Sequence, residues 1–209
     1  MTTAQNYINS ENSVEQKVIL LDFMIQVIKN DLQTSTLAAT FYEEQDFSPH
    51  QSATFFPMIC FDKQGNRTST YKLTQKGRRI VNLSEDCIFV TPWSPERLQG
   101  SIIDLFTNSF DFVPTNHFST YYKPLGICRI ESGCHSISAG IGYKNGEILS
   151  KEVDITHCFS HITTDGAYWY STHTNERLSG VLDFRVAIIY EVTKLKFELI
   201  NKTVDKLAP

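Results

Sequence analysis

"RIESGCHSISAG", residues 129–140, is the stretch on which the reading of this chain turns. Ile127 to Ile130 reads as a short strand, Gly133 as a tight turn, and the residues from Cys134 onward as the start of a helix. A helix start presents backbone N–H groups without intrahelical partners and a positive partial charge, so it favours anions. Gly133 allows the sharp turn and a close approach of a ligand to the backbone. Ser136 can cap the helix or donate to a phosphate oxygen. His135 can donate to a phosphate or move a proton. Cys134, in the first turn, is expected to have a lowered pKa and to be a candidate nucleophile. An ordinary strand-to-helix turn with a packed cysteine accounts for the same residues.

Around this stretch the pattern alternates between strands and helices. "SPERLQGSIIDLFTNS" offers Ser94 as N-cap, Pro95 at the first helical position and Glu96 in the first turn, with Leu98, Ile102, Leu105 and Phe106 as the buried face. "DCIFVTP" before it reads as a strand ending at Pro92. Residues 108–122 read as a loop. "YKNGEILSKEVD" and "DGAYWYS" read as strands after turns; "DFRVAIIYEVTKLKFELIN" has apolar residues at helical spacing and β-branched content that suits a strand, and is read as a C-terminal helix. Further upstream, Val14, Val18, Leu21, Ile25, Ile28 and Leu32 recur at helical spacing. Ser13 and Gln16 form a capping-box pattern, so a helix is expected over about 14–31, with a second short one near 34–44 carrying Glu43-Glu44 on a solvated face. Residues 1–12 read as frayed. "TFFPMICFDKQGNRTSTYKLT" reads as a hairpin turning at Gly65-Asn66. The expectation is an α+β fold: an N-terminal helical segment and hairpin over 1–79, then a mixed α/β domain over 80–209, together one compact unit.

The composition bounds the function. With 209 residues, 41% hydrophobic and 20% charged, the chain can build one good-sized core. The formal net charge of -4 opposes a strongly electrostatic nucleic-acid binder. The polar N-terminus lacks a signal-peptide pattern and no apolar run is long enough for a bilayer, so a cytoplasmic location without membrane contact is expected. The five scattered cysteines, with no CxxC pair, suit reduced thiols better than a disulfide framework.

"CRIESGCHSISAG" resembles the signature turn of the ParB/sulfiredoxin superfamily, in which a strand leads into Gly-x-His/Arg-Arg at a helix start that cradles nucleotide phosphates. Sulfiredoxins carry Gly-Cys-His-Arg there, with the cysteine as the catalytic thiol. "TPWSPERLQGSIID", residues 91–104, is similar to the upstream strand-to-helix segment of that superfamily, and Arg97 matches its basic residue for the nucleotide. The small hydroxyl residues that touch nucleotide on that helix in sulfiredoxins are not clearly kept: Gly100 and Asp104 sit near where they would fall, with Ser101 one residue off. The two segments cover about a third of the chain. Pro92-Trp93, Arg97, Pro124 to Cys128 and Gly133 to Ile137 also resemble an uncharacterised bacterial and phage family with a Gly-Asn/Cys-His-Ser-Ile turn. Ser136 stands where sulfiredoxins have arginine, which removes a main phosphate-charge partner, and the uncharacterised family often has asparagine at the Cys134 position; nucleotide binding and a lost or repurposed site are therefore the expectations, rather than sulfinic-acid reduction.

The resemblance implies a ParB/sulfiredoxin-like core that binds a nucleotide through Arg97, Gly133, His135 and Ser136. His135 and Cys134 are the implied catalytic candidates, and magnesium the ion that offsets phosphate charge. Two alternatives stand beside it. One is a non-enzymatic phage or mobile-element module that binds a host protein. The other is a DNA-binding protein or nuclease, which the acidic balance disfavours.

Other clusters have simpler readings. His157, Cys158 and His161 in "ITHCFSHIT" offer zinc-type ligands without paired spacing at both ends, and also suit a surface turn. Asp165-Gly166 offers a catalytic acid, but turn chemistry explains it without function. Lys76 to Arg79 offers contact to a phosphate backbone, or a solvated hairpin end. Tyr121 to Lys123 and Tyr168 to Tyr170 offer stacking surfaces for bases, or core aromatics of strands. Glu131 stands beside the turn as an acid or base, or as an exposed carboxylate.

Overall fold

The computed structural model describes residues 2–42, 54–70 and 75–207. The fold is α+β, with five helices and ten strands among those residues. The chain forms two units that interleave along the sequence. One takes its described residues from 1–30, 54–73 and 156–209, the other from 31–53 and 74–155.

The second unit carries the Gly133 turn. Its five-stranded mixed sheet is built from β3 (Gln75–Asn82), β4 (Cys87–Phe89), β5 (Ser119–Lys123), β6 (Ile127–Ile130) and β7 (Glu147–Asp154), in the order β3-β7-β5-β6-β4. β4 and β6 are parallel neighbours, with Ile88 opposite Cys128. β5 runs antiparallel to β6 and parallel to β7. Helix α3 (Pro95–Thr107) follows β4, helix α4 (Cys134–Tyr143) follows β6, and the two helices pack together. Ile137 and Ile141 of α4 join Val81, Leu83, Ile88, Tyr121, Cys128 and Ile148 in one apolar core, flanked by Leu37, Phe110 and Phe112. Burying each aliphatic side chain of that size stabilises the fold by about 1.5–3 kcal/mol relative to exposure.

The first unit holds α1 (Thr2–Asn9), the beginning of α2 (Val14–Tyr42), the hairpin β1 (Ile59–Phe61) and β2 (Arg67–Ser69), and a sheet ordered β10-β9-β8. Those strands are β8 (Ile162–Thr164), β9 (Tyr168–Ser171) and β10 (Arg177–Gly180), and α5 (Phe184–Leu207) closes the chain. Trp169 and Tyr190 are fully buried and meet edge to face with ring centroids 5.1 Å apart. The Tyr190 hydroxyl donates to the Cys158 and Ile162 carbonyls.

Several expectations hold. The capping box forms: Gln16 N–H donates to Ser13 Oγ and Ser13 N–H to Gln16 Oε1. The Gly65-Asn66 turn joins β1 to β2, and the C-terminal segment is helical. Asp165 accepts from the Ala167 and Tyr168 amides and from the Tyr170 hydroxyl, which is turn chemistry.

Other expectations are corrected. Residues 2–9 form a helix on which Ala4 is fully buried. The helix from Val14 runs unbroken to Tyr42, with no Gly or Pro in the span to stop it. Thr36 Oγ1 folds back onto the Leu32 carbonyl, which satisfies its hydroxyl within the helix. Glu43 and Glu44 lie outside the described residues. Lys76 to Arg79 belong to β3, paired along its length with β7, rather than to a hairpin end. Residues 119–122, expected as loop, belong to the sheet-interior strand β5. On α3, Leu98 is buried but Phe106 is 79% exposed. His157 and Cys158 lie on a 3-10 turn, Thr156–Ser160, in keeping with the turn reading, although Cys158 is buried.

Among the described residues, no helix is long and apolar enough to cross a membrane. No group of three or more His, Cys, Asp or Glu among them could hold a metal ion.

Candidate functional site

Two helix starts meet beyond the carboxyl ends of two adjacent parallel strands. β4 leads through Val90–Trp93 into α3, and β6 leads through Glu131–Gly133 into α4. Sites that bind ligands in α/β sheets form at such crevices, where backbone amides converge. Here a cavity of about 610 Å³ is lined from α3 by Arg97, Gly100, Ser101 and Asp104, and from the α4 turn by Ser132, Gly133, Cys134, His135 and Ser136. Trp93, Asn116 and Glu131 complete the wall. Arg97 and His135, far apart in the chain, therefore share one cavity, together with every site residue expected from the sequence.

The start of α3 is built as its sequence dictates. Ser94 is in extended conformation, and its Oγ accepts from the Arg97 N–H; Pro95 occupies the first turn. This cap sets Arg97 one turn into the helix. Its guanidinium lies over the Trp93 ring, 4.8 Å from the centroid. His135 ties the two starts together. Its Nε2 accepts a hydrogen bond from the Ser94 backbone N–H at 3.1 Å, and its ring meets Trp93 edge-on at 5.1 Å. Accepting at Nε2 leaves the proton of the neutral ring on Nδ1. Burial lowers the His135 pKa below its ordinary 6.5, and the Arg97 charge lowers it further.

The α4 turn has its own support. Gly133 sits at φ +78, and a β-carbon there would lie 2.3 Å from His117 Cδ2. His117 is 4% exposed and stacks on Phe110 at 5.3 Å. Its Nδ1 accepts from the Val113 N–H at 3.0 Å, so the neutral ring carries its proton on Nε2. Nε2 meets Ser136 Oγ at 2.9 Å, and Ser136 Oγ donates to the Gly133 carbonyl at 3.1 Å. The Ser136 hydroxyl proton is thus engaged within the turn. Burial lowers the His117 pKa, against a smaller opposing effect of Asp111.

Cys134 departs from the expected thiolate. It is 7% exposed and part of the apolar core, and burial pushes its thiol pKa up. Its own amide, Arg129 and the Thr91 backbone act in the opposite direction but do not prevail. Neighbouring Cys128 is pushed up to about 12, chiefly by burial. The arrangement suits binding through amides, a guanidinium and a neutral imidazole better than attack by sulfur.

The carboxylates of the cavity also have local partners. Glu131 Oε1 accepts from Thr120 Oγ1 at 2.8 Å, and Asp104 Oδ1 accepts from Asn108 Nδ2 at 2.9 Å. The residue that sequence reasoning missed is His117. It lies in a segment read as loop, and nothing local to it announces a contact with residues 16 and 19 positions downstream.

No curated protein and no solved structure matches the chain. A family model described as a family of unknown function, DUF6710, matches residues 1–203, and the chain belongs to that family.

Proposed function

We propose that the protein binds a nucleotide, or a ligand of equivalent phosphate chemistry, on the Gly133–Ser136 turn, as a ParB/sulfiredoxin-like protein. The observation that carries this reading is the single cavity shared by Arg97 and the start of α4. Its volume falls within the usual range for small-molecule sites. Amide donors at a helix start and a guanidinium are complementary to phosphate oxygens.

Magnesium is the ion that a phosphate ligand would bring to this lining. The lining carries one positive side chain, Arg97, and two carboxylates, Asp104 and Glu131. Magnesium is commonly held by one or two carboxylates together with substrate phosphates. Bound there, it would offset phosphate charge, while Arg97 and the turn amides orient the phosphate. The reading is of binding. Its extension to hydrolysis or phosphate transfer would use His135, whose Nε2 is engaged with Ser94 and whose proton is on Nδ1. A thiol step at Cys134 is not part of it.

Calorimetry with ATP, CTP and GTP, each with and without magnesium, tests the proposal. At least one nucleotide should bind, more tightly with magnesium, and Arg97→Ala should weaken binding by about tenfold, as loss of a charged hydrogen-bonding partner does. No affinity for any of the three with magnesium present removes the proposal.

A second reading, a protein-interaction module, has one specific observation in its favour: Ile103 and Phe106 are exposed on α3. Capture of a stable protein partner that is insensitive to His135→Ala and lost in Phe106→Ser would favour it.

A further inference from the structure

We propose that His117 is the positioning residue of the Gly133–Ser136 turn, and that its Nε2–H form holds the first amides of α4 in place through Ser136. The proposal deepens the phosphate-binding reading of the same site and rests on it for its functional consequence.

The geometry begins with the missing β-carbon of Gly133. The imidazole fills that space, so the turn and the ring fix each other sterically. Hydrogen bonds then fix which face and which tautomer is used. Val113 N–H can donate only to an unprotonated Nδ1, which leaves Nε2–H to donate to Ser136 Oγ. That hydroxyl in turn donates to the Gly133 carbonyl. The result is a directed chain from the Val113–His117 turn to the carbonyl that precedes the Cys134, His135 and Ser136 amides. Phe110 stacked on one side and Phe112 tilted at 5.8 Å leave the ring little freedom to rotate away.

A second protonation at Nδ1 would place two N–H groups against each other at Val113 and break the chain at its origin. The charged and titratable groups around the ring are Asp111 in its own segment, Arg78 of β3, Glu131 after β6 and Lys151 of β7; the last three line a cavity with it. Neither carboxylate shares a hydrogen bond with the ring, so the chain depends on the neutral imidazole.

The test uses the full-length protein labelled with nitrogen-15. At neutral pH the His117 ring nitrogens should report the Nε2–H tautomer; an Nδ1–H tautomer overturns the proposal. His117→Phe keeps the ring stack and removes both hydrogen bonds. It should displace the Cys134, His135 and Ser136 amide resonances and weaken binding of Mg·ATP, Mg·CTP or Mg·GTP by roughly tenfold or more, since small misplacements of a site are costly. His117→Gln, which keeps a donor toward Ser136, should recover part of both. A folded His117→Phe protein with those amides unmoved, or with undiminished binding of a nucleotide that the wild type binds, overturns the proposal. If His117→Phe does not fold, Ser136→Ala interrupts the same chain, and unmoved amides there overturn it equally. If the wild type binds none of the three nucleotides, the phosphate reading fails, while the tautomer and amide shifts still decide the role of His117.

Discussion

The His117 ring occupies the space that a β-carbon on Gly133 would need, with Cδ2 2.3 Å from that position. The requirement at Gly133 is therefore double. Its φ of +78 disfavours any L side chain, and the imidazole blocks even a methyl group.

Gly133→Ala should accordingly destabilise the protein by about 2–4 kcal/mol, combining backbone strain with overpacking. Urea unfolding would measure it. A loss below about 1 kcal/mol would show that the ring yields easily.

Stability should fall on mild acidification. His117 and His135 are held neutral by burial, with pKa values below the ordinary 6.5. The unfolded chain therefore takes up protons first. Stability is full above pH 6.5 and is lost as the pH drops from there through the lowered folded values. The exposed carboxylates of Asp62, Glu96 and Asp165 are lowered from 3.8, 4.5 and 3.8, so their contributions disappear only in more acid solution. Unfolding free energies between pH 7 and about pH 5 should show the histidine slope, and it should be shallower in His117→Gln. Equal slopes for the two proteins would remove His117 from the account.

All five cysteines are buried, and the Cys134 thiol is raised rather than lowered. Native protein at neutral pH should react slowly with a thiol-specific disulfide reagent, and unfolded protein should release five equivalents. Rapid labelling of Cys134 in the native state would restore it as a nucleophile.

The two tryptophans differ in reporting power. Trp169 is fully buried, while Trp93 is 44% exposed in the cavity wall beneath the Arg97 guanidinium. A nucleotide that draws Arg97 toward its phosphates should change Trp93 emission. A titration with Mg·ATP, Mg·CTP or Mg·GTP should give a signal in the wild type and none in Trp93→Phe. A signal retained in that variant would locate the ligand elsewhere.

Tyr190→Phe should cost about 1 kcal/mol, because it removes the hydroxyl shared by the Cys158 and Ile162 carbonyls, which keep the His161 N–H and the Lys194 ammonium as donors. Thermal or urea unfolding would register it, and an unchanged stability would mean that the His161 and Lys194 donors suffice for the two carbonyls.

What the sequence determined by itself was local. The Ser13–Gln16 box, the Ser94 cap with Pro95, the Asp165 turn and the strand-turn-helix at Gly133 each depend on partners within a few residues, and the side chains there carry their own instructions. Those same caps made the two helix starts legible as a candidate site. Tertiary structure decided what the site residues can do. Ser94 and His135 meet across 41 positions, and His117 reaches Ser136 across 19. Neither pairing has a local signal, because it follows from the order in which strands join the sheet. Cys134 shows the difference most plainly: its place at a helix start favours a thiolate, but packing removes water from the sulfur, and desolvation outweighs the local field.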